Sequence, residues 1–116
     1  VAYSNMDEQT IYEKMRLELR RGVLVLAVLS QLQQEHYGYS LRKNLADKGV
    51  DIDEGTLYPL IRRLEKQGLL QSEWRQDDKR KKRFYQLSEA GEQMLERLQK
   101  EWFEVSSTLS SLLKGA

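Results

Sequence analysis

No cysteine occurs in the 116 residues, which excludes disulfides, thiolate nucleophiles, zinc ribbons and iron–sulfur clusters. A single histidine, His36, leaves no histidine cage for a metal and no histidine-based acid–base pair. The nearby acids Asp51 with Asp53 and Asp77 with Asp78 fall in loops without a partner base or ligand set, so the chain is expected to be no enzyme, with no cofactor and no metal. The longest apolar run, Val23 to Leu29, is far short of the ~20 residues that span a bilayer, and the N-terminus lacks a secretory pattern. A cytoplasmic protein away from membranes is expected. An excess of one charge is also missing, with 19 Lys+Arg against 18 Asp+Glu and a net charge of +1. The chain opens on Val1, so residues up to about Asn5 read as an appended stretch, with Met6 or Met15 as the natural start.

What is present suffices for one modest core, and 40% hydrophobic residues is lean enough to leave self-association open. The neutral total hides a basic patch: residues 71 to 87 carry six Lys/Arg against three acids, whereas 88 to 116 carry three against five. Ile11, Met15 and Leu19 recur at helical spacing and predict a helical arm over 7 to 20 that packs on something. From Arg21 to Gln34, apolar residues cover nearly the whole circumference, which predicts the core helix. A break at Tyr37-Gly38-Tyr39-Ser40 precedes a short helix to Lys48, ended by Gly49, and His36 reads as an ordinary loop residue. Asp53 is a plausible N-cap for a third helix with Leu57, Leu60, Ile61 and Leu64 on one stripe and Gly68 at its end. Pro59 conflicts with it, so this helix is expected to start later than Asp53 or to bend in its first turns. Leu69 to Arg75 and Lys82 to Leu87 alternate like strands around a charged tip, Gln76 to Lys81. Ser88 then caps a last helix to about Lys114, in which Leu95, Leu98, Trp102, Val105, Leu109 and Leu112 form a seam of period 3.5.

Helix, short helix, capped helix and hairpin is the order of a winged helix-turn-helix. The expected architecture is mainly α with a small β-hairpin. It divides into a DNA-binding unit over 7–87, N-terminal arm included, and a C-terminal dimerisation helix over 88–114. The third helix would present Thr56, Tyr58, Arg62 and Lys66 to a major groove, and Arg80, Lys81 and Lys82 would neutralise phosphates beside it. Tyr39, Ser40 and Lys43 at the start of the second helix are secondary phosphate contacts. Arg62, Arg63 and Lys66 suit a plain solvated face equally well, whereas the five-residue run Lys79 to Arg83 repels itself and favours an anionic partner. The seam is long for a helix that packs on its own domain, so a two-fold homodimer on a pseudo-palindromic double-stranded operator is expected. A winged dimer that binds protein instead of DNA is the alternative.

The string Gly55-Thr56-Leu57-Tyr58-Pro59-Leu60-Ile61-Arg62-Arg63-Leu64-Glu65-Lys66-Gln67-Gly68-Leu69-Leu70 is followed by Trp74 and by Arg83-Phe84-Tyr85-Gln86-Leu87-Ser88-Glu89-Ala90-Gly91. Together with Arg21-Gly22-Val23-Leu24 and Tyr37-Gly38-Tyr39-Ser40-Leu41, it resembles the PadR-type transcriptional regulators over about residues 16 to 113. The resemblance implies a bacterial dimeric repressor of the short subfamily with one C-terminal helix, and a proline tolerated in the recognition helix. Some short members hold flat aromatic compounds between tryptophans of the paired C-terminal helices, and Trp102 stands at the similar position. That implies a small aromatic effector at Trp102, with Phe103 and Met94 lining the same space or merely covering the hairpin. A bulky dimer-core role serves Trp102 as well.

Overall fold

The computed structural model describes residues 7–115; the reading of Val1 to Asn5 as appended, and Met6 as a start, lies outside them. Asp7 opens the first helix by accepting the Thr10 backbone N–H at 2.7 Å, a bond that also holds its carboxyl below the ordinary carboxylate range. Helix α1 then runs over Glu8–Gln31 without interruption. The arm and the core helix expected as separate elements are therefore one rod. Gly22 is the nearest thing to a break, and a glycine costs only about 1 kcal/mol against alanine inside a helix. Only the second half of the rod enters the core. Val28, Leu29 and Leu32 are fully buried, while Ile11, Met15 and Leu19 are 44%, 58% and 74% exposed, so among the described residues the arm stays outside the core.

Strand β1 (His36–Tyr37), helix α2 (Gly38–Asp47), helix α3 (Glu54–Lys66), strands β2 (Leu70–Asp77) and β3 (Arg80–Leu87) and helix α4 (Glu89–Leu113) follow. The sheet is antiparallel in the order β1-β3-β2, so His36 is a strand residue opposite Tyr85 and not part of a loop. The Leu87 N–H donates to the Leu32 carbonyl at 2.9 Å, which ties the base of the hairpin to the end of α1. Leu41 and Leu45 from α2, the Leu57/Leu60/Ile61/Leu64 stripe of α3, and Leu70, Leu87 and Leu95 close the core around Leu29 and Leu32. Each such buried leucine contributes about 1.5–3 kcal/mol relative to exposure.

Asp53 occupies the N-cap position of α3, but its side chain caps nothing; its carbonyl accepts the Thr56 and Leu57 N–H groups at 3.1 and 2.9 Å. The helix starts at Glu54 and continues through Pro59, which sits in its second turn. Proline lacks the N–H that would reach the Gly55 carbonyl, and Gly55 is exposed, so water can satisfy that carbonyl. Gly68 stops the helix at φ +82°. The strands of the hairpin reach further than expected, leaving a two-residue turn, Asp78-Lys79, in place of a six-residue tip. Asp78 takes φ 57° there, a left-handed conformation that Asp tolerates better than most residues. Ser88 caps α4 by accepting the Gly91 N–H at 3.0 Å, and its own hydroxyl donates to the Gly68 carbonyl at 2.6 Å.

Candidate nucleic-acid interface

Side chains on a strand alternate between faces, so the basic run Lys79 to Arg83 is divided between two faces of the wing, although Arg80, Lys81, Lys82 and Arg83 all border the groove beside α3. Trp74 faces Arg83, Gln76 faces Lys81 and Ser72 faces Tyr85 on the side turned toward α3; Asp77 faces Arg80 and Arg75 faces Lys82 on the other. Two of the five cations are satisfied internally. Lys82 Nζ donates to Asp77 Oδ2 at 2.9 Å and lies 4.3 Å from the centroid of the Tyr37 ring, and the Asp77 bond raises its pKa. Arg83 Nη2 donates to Glu65 Oε2 at 3.0 Å, and its Nε donates to the Ser72 hydroxyl at 3.0 Å. Ser72 donates in turn to the same Glu65 oxygen. That hydroxyl, followed by the guanidinium, holds the Glu65 carboxyl below its ordinary pKa against a smaller opposing effect of burial. Lys79, Arg80 and Lys81 are exposed and form no ion pair among the described residues.

A groove of about 640 Å³ separates α3 from the wing, with Tyr58 and Arg62 on one wall, Trp74, Lys81 and Arg83 on the other, and Tyr39 at one end. Thr56, Arg62 and Lys66 are exposed along α3, and Tyr39 and Lys43 are exposed on α2. Of the expected contacts, Tyr58 and Arg62 of α3, Tyr39 of α2 and Arg80, Lys81 and Lys82 of the wing border this one concavity, whereas Thr56, Lys66, Ser40 and Lys43 lie outside its lining. Tyr58 is half-buried because its ring lies over Gly38; a Cβ built at Gly38 would stand 2.8 Å from Tyr58 Cζ and closer still to its neighbours. Ser40 is placed at the start of α2, but its hydroxyl is committed: it donates to the Tyr37 carbonyl at 3.0 Å and accepts the Tyr37 N–H at 3.1 Å. His36 Nδ1 lies 3.0 Å from the same oxygen, and burial lowers the His36 pKa. With its proton given to the Tyr37 carbonyl and its oxygen accepting the Tyr37 N–H, Ser40 serves as a helix cap.

Trp74, Glu65 and Tyr85 also border the groove, although the sequence assigns them no role in the site. Trp74 stands 60% exposed on the wing with the Arg83 guanidinium 5.5 Å from its ring centroid. An apolar–charged alternation across β2 and β3 was visible, but the pairing of Trp74 with Arg83 and of Arg83 with Glu65 needs the register.

The seam of α4 divides in the middle. Leu95 is buried in the protomer's own core and Leu98 packs against it, whereas Trp102, Val105, Leu109 and Leu112 are 43%, 48%, 44% and 69% exposed. The first two positions thus belong to the domain and not to a surface free for pairing. Trp102 and Phe103 line a groove of about 380 Å³ against Val23, Leu26 and Ala27 of α1. Met94 faces a different groove, with Val25, Leu29 and Leu64, so it does not share the space of Trp102 and Phe103. Among the described residues no helix is long and apolar enough to cross a membrane, and no three acidic or histidine side chains converge on a metal site.

Comparison with known proteins adds an independent line. The model of the transcriptional regulator PadR-like family matches residues 25–97. A crystal structure of a PadR family transcriptional regulator from Eggerthella lenta superposes with a TM-score of 0.82 at 46% identity, covering 89% of this chain and 92% of that one. A PadR-like transcriptional regulator from Bacillus cereus gives a TM-score of 0.74 at 31% identity over 85% of this chain and 99% of that one. A transcriptional regulator of Mycobacterium tuberculosis is 39% identical over 75 residues, 64% of this chain and 70% of that protein.

Proposed function

The chain belongs to the PadR-like family of transcriptional regulators, and from that premise we propose that it acts as a homodimeric repressor on a pseudo-palindromic stretch of double-stranded DNA. It works by equilibrium binding, with no chemical step. The observation that carries this reading is the shared groove, where Tyr58 and Arg62 of α3 and the unpaired Arg80 and Lys81 of the wing look onto one space. In it, α3 enters a major groove and Arg62 reads base edges, with Thr56, Tyr58 and Lys66 beside it. Arg80 and Lys81 on β3 neutralise phosphates, joined by Tyr39 and Lys43 from α2. Lys82 and Ser40, whose polar atoms already have partners, set the shape of this surface.

The dimer reading is supported by apolar side chains that the protomer leaves uncovered on the N-terminal half of α1 and the C-terminal half of α4. Trp102, Val105, Leu109 and Leu112 of α4, and Ile11, Met15 and Leu19 of α1, offer a second copy apolar side chains to cover. Pairing through α4 sets the spacing of two recognition helices, and the second half-site then binds at the effective concentration set by the first. A planar aromatic effector at Trp102 and Phe103, wedged where α4 meets α1, changes that spacing. It releases DNA only to the extent that it binds the released state better.

Selection of duplexes from a random pool tests the central claim. A two-fold symmetric motif is the expected product, and recovery of no enriched duplex at low ionic strength refutes it. For the effector, Trp102 emission is followed in Trp74→Phe protein, which removes the second tryptophan. Planar aromatic compounds that release DNA must change that emission; release with unaltered emission discards the site.

A further inference from the structure

Glu65 sits oddly for a groove that receives a polyanion: it is a carboxylate on α3, one turn from Arg62, and its side chain is 27% exposed. A free charge there repels phosphate. The structure instead closes it off with the Ser72 hydroxyl and the Arg83 guanidinium, the latter also bonded to Ser72 and lying 5.5 and 5.8 Å from the Trp74 and Tyr85 ring centroids. One acid thus joins α3 to both strands of the wing.

We propose that the Glu65–Ser72–Arg83 triangle is a bracket that fixes the wing's angle to the recognition helix, so that helix and wing contacts form as one unit, with Glu65 as the positioning residue. The inference rests on the DNA-binding reading above. Its physical basis is leverage. The wing is a two-stranded ribbon with eight residues in each strand; β1 pairs only with the two rungs at Tyr85 and Phe84, and on the face away from α3 Arg75 reaches Glu35 and Lys82 lies over the Tyr37 ring, so the bracket is the side-chain tie to α3 itself. Two-stranded hairpins are marginal by themselves and twist readily. The bracket grips the rungs Ser72–Tyr85 and Trp74–Arg83, and the last rung, Asp77–Arg80, lies three positions beyond Trp74. At about 3.3 Å per residue that leaves an arm of about 10 Å, so a tilt of about 15° at the bracket displaces Arg80 and Lys81 by about 2.5 Å. Such a displacement exceeds the tolerance of a charge-assisted hydrogen bond to phosphate. A fixed wing delivers its cations to the backbone when α3 seats; a loose one must find them separately, which lowers the effective concentration of the second contact set.

The expected signature is non-additivity with a residue that the bracket does not touch. On the duplex recovered by selection, Glu65→Gln keeps an oxygen acceptor but loses the charge that strengthens both hydrogen bonds; with one bracket weakened in each protomer, it weakens binding about tenfold. In that background Lys81→Ala costs less than half, in fold-change, of what it costs in the wild type. Arg83→Lys, which keeps the positive charge but cannot span both partners, reproduces the effect and separates geometry from net charge. Tighter binding by Glu65→Gln overturns the inference, because it marks Glu65 as a mere repulsive neighbour. Equal cost of Lys81→Ala in both backgrounds overturns it too, because then wing and helix act independently. Wild-type protein that binds no duplex overturns the DNA reading itself, whereas an additive cycle on intact wild-type binding overturns the bracket alone.

Discussion

Five consecutive cations on a wing invite the assumption that all five face phosphate, and the pairing of two of them turns that assumption into a measurable number. The observed binding constant falls with salt at a slope of about 0.9 per phosphate neutralised. Lys81 is unpaired, whereas Lys82 is held by Asp77 at 2.9 Å. In a two-fold complex each substitution removes two contacts. Lys81→Ala is therefore expected to reduce the slope by about 1.8, and the gap between wild type and variant shrinks about twelvefold between 50 and 200 mM salt. Removal of Lys82 alone would expose Asp77, so the fair comparison is Asp77→Asn with Lys82→Met, which deletes the pair at constant net charge. That double variant is expected to leave the slope unchanged within about 0.4, less than a single phosphate contact. Fluorescence anisotropy of a labelled duplex across a salt series gives both slopes. A double variant that loses as much slope as Lys81→Ala refutes the reasoning, because it shows Lys82 exchanging its carboxylate for phosphate.

Arg62→Ala is expected to flatten discrimination between selected and random duplex, and equal loss on both refutes a base-reading role. Leu109→Glu, at a position 44% exposed on the protomer, should shift sedimentation to monomer while far-UV circular dichroism stays unchanged. Gly91→Ala places a Cβ onto the Leu69 carbonyl, with the carbonyl carbon 3.0 Å away, and backbone cannot swing aside as a side chain can. A loss of about 1–3 kcal/mol in urea unfolding is expected, and no loss would mean that α4 is free to slide on the wing base. Glu65 has its pKa lowered from 4.5 by Ser72 and then Arg83. The unfolded chain therefore takes up this proton first, and the stability Glu65 contributes is complete above pH 4.5 and lost as pH falls through the lower folded value. Glu65→Gln should accordingly flatten the stability curve below pH 4.5 and leave its shape above that pH untouched.

The helical stripe of α3, the Ser88 cap and the Gly68 stop were legible because each is local: spacing of 3.6, a hydroxyl before an acidic turn, a glycine at a chain reversal. The continuity of α1 was not. Its first half shows a helical stripe and its second half an all-round apolar pattern, and the change of pattern reads as two elements although the backbone never breaks. What changes at Arg20 and Arg21 is the environment, since the arm leaves the core there. β1 escaped for the opposite reason, because two residues carry no period and His36–Tyr37 is a strand only by virtue of β3 beside it. In α4 the 3.5 spacing predicted a single seam, yet periodicity reports that a face is buried and not against what. Leu95 meets the protomer's own core, while Leu109 stands outside it, 44% exposed.

The wing shows the same limit in electrostatic form, and there it bears on function. Along the chain, Lys79 to Arg83 reads as a uniform block of charge, the signature of a nonspecific phosphate binder. Folding sorts the block by strand alternation and by reach, giving Lys82 to Asp77 and Arg83 to Glu65 while leaving Lys79, Arg80 and Lys81 unpaired. A wing with five free cations would hold any duplex more tightly, since that attraction carries no sequence information. On the proposed reading, two internal pairs lower this indiscriminate attraction, and the Glu65 bracket would attach what remains to α3. Discrimination between a chosen and a random site rises when the two contact sets depend on each other, because a mismatch under α3 then also misplaces the wing.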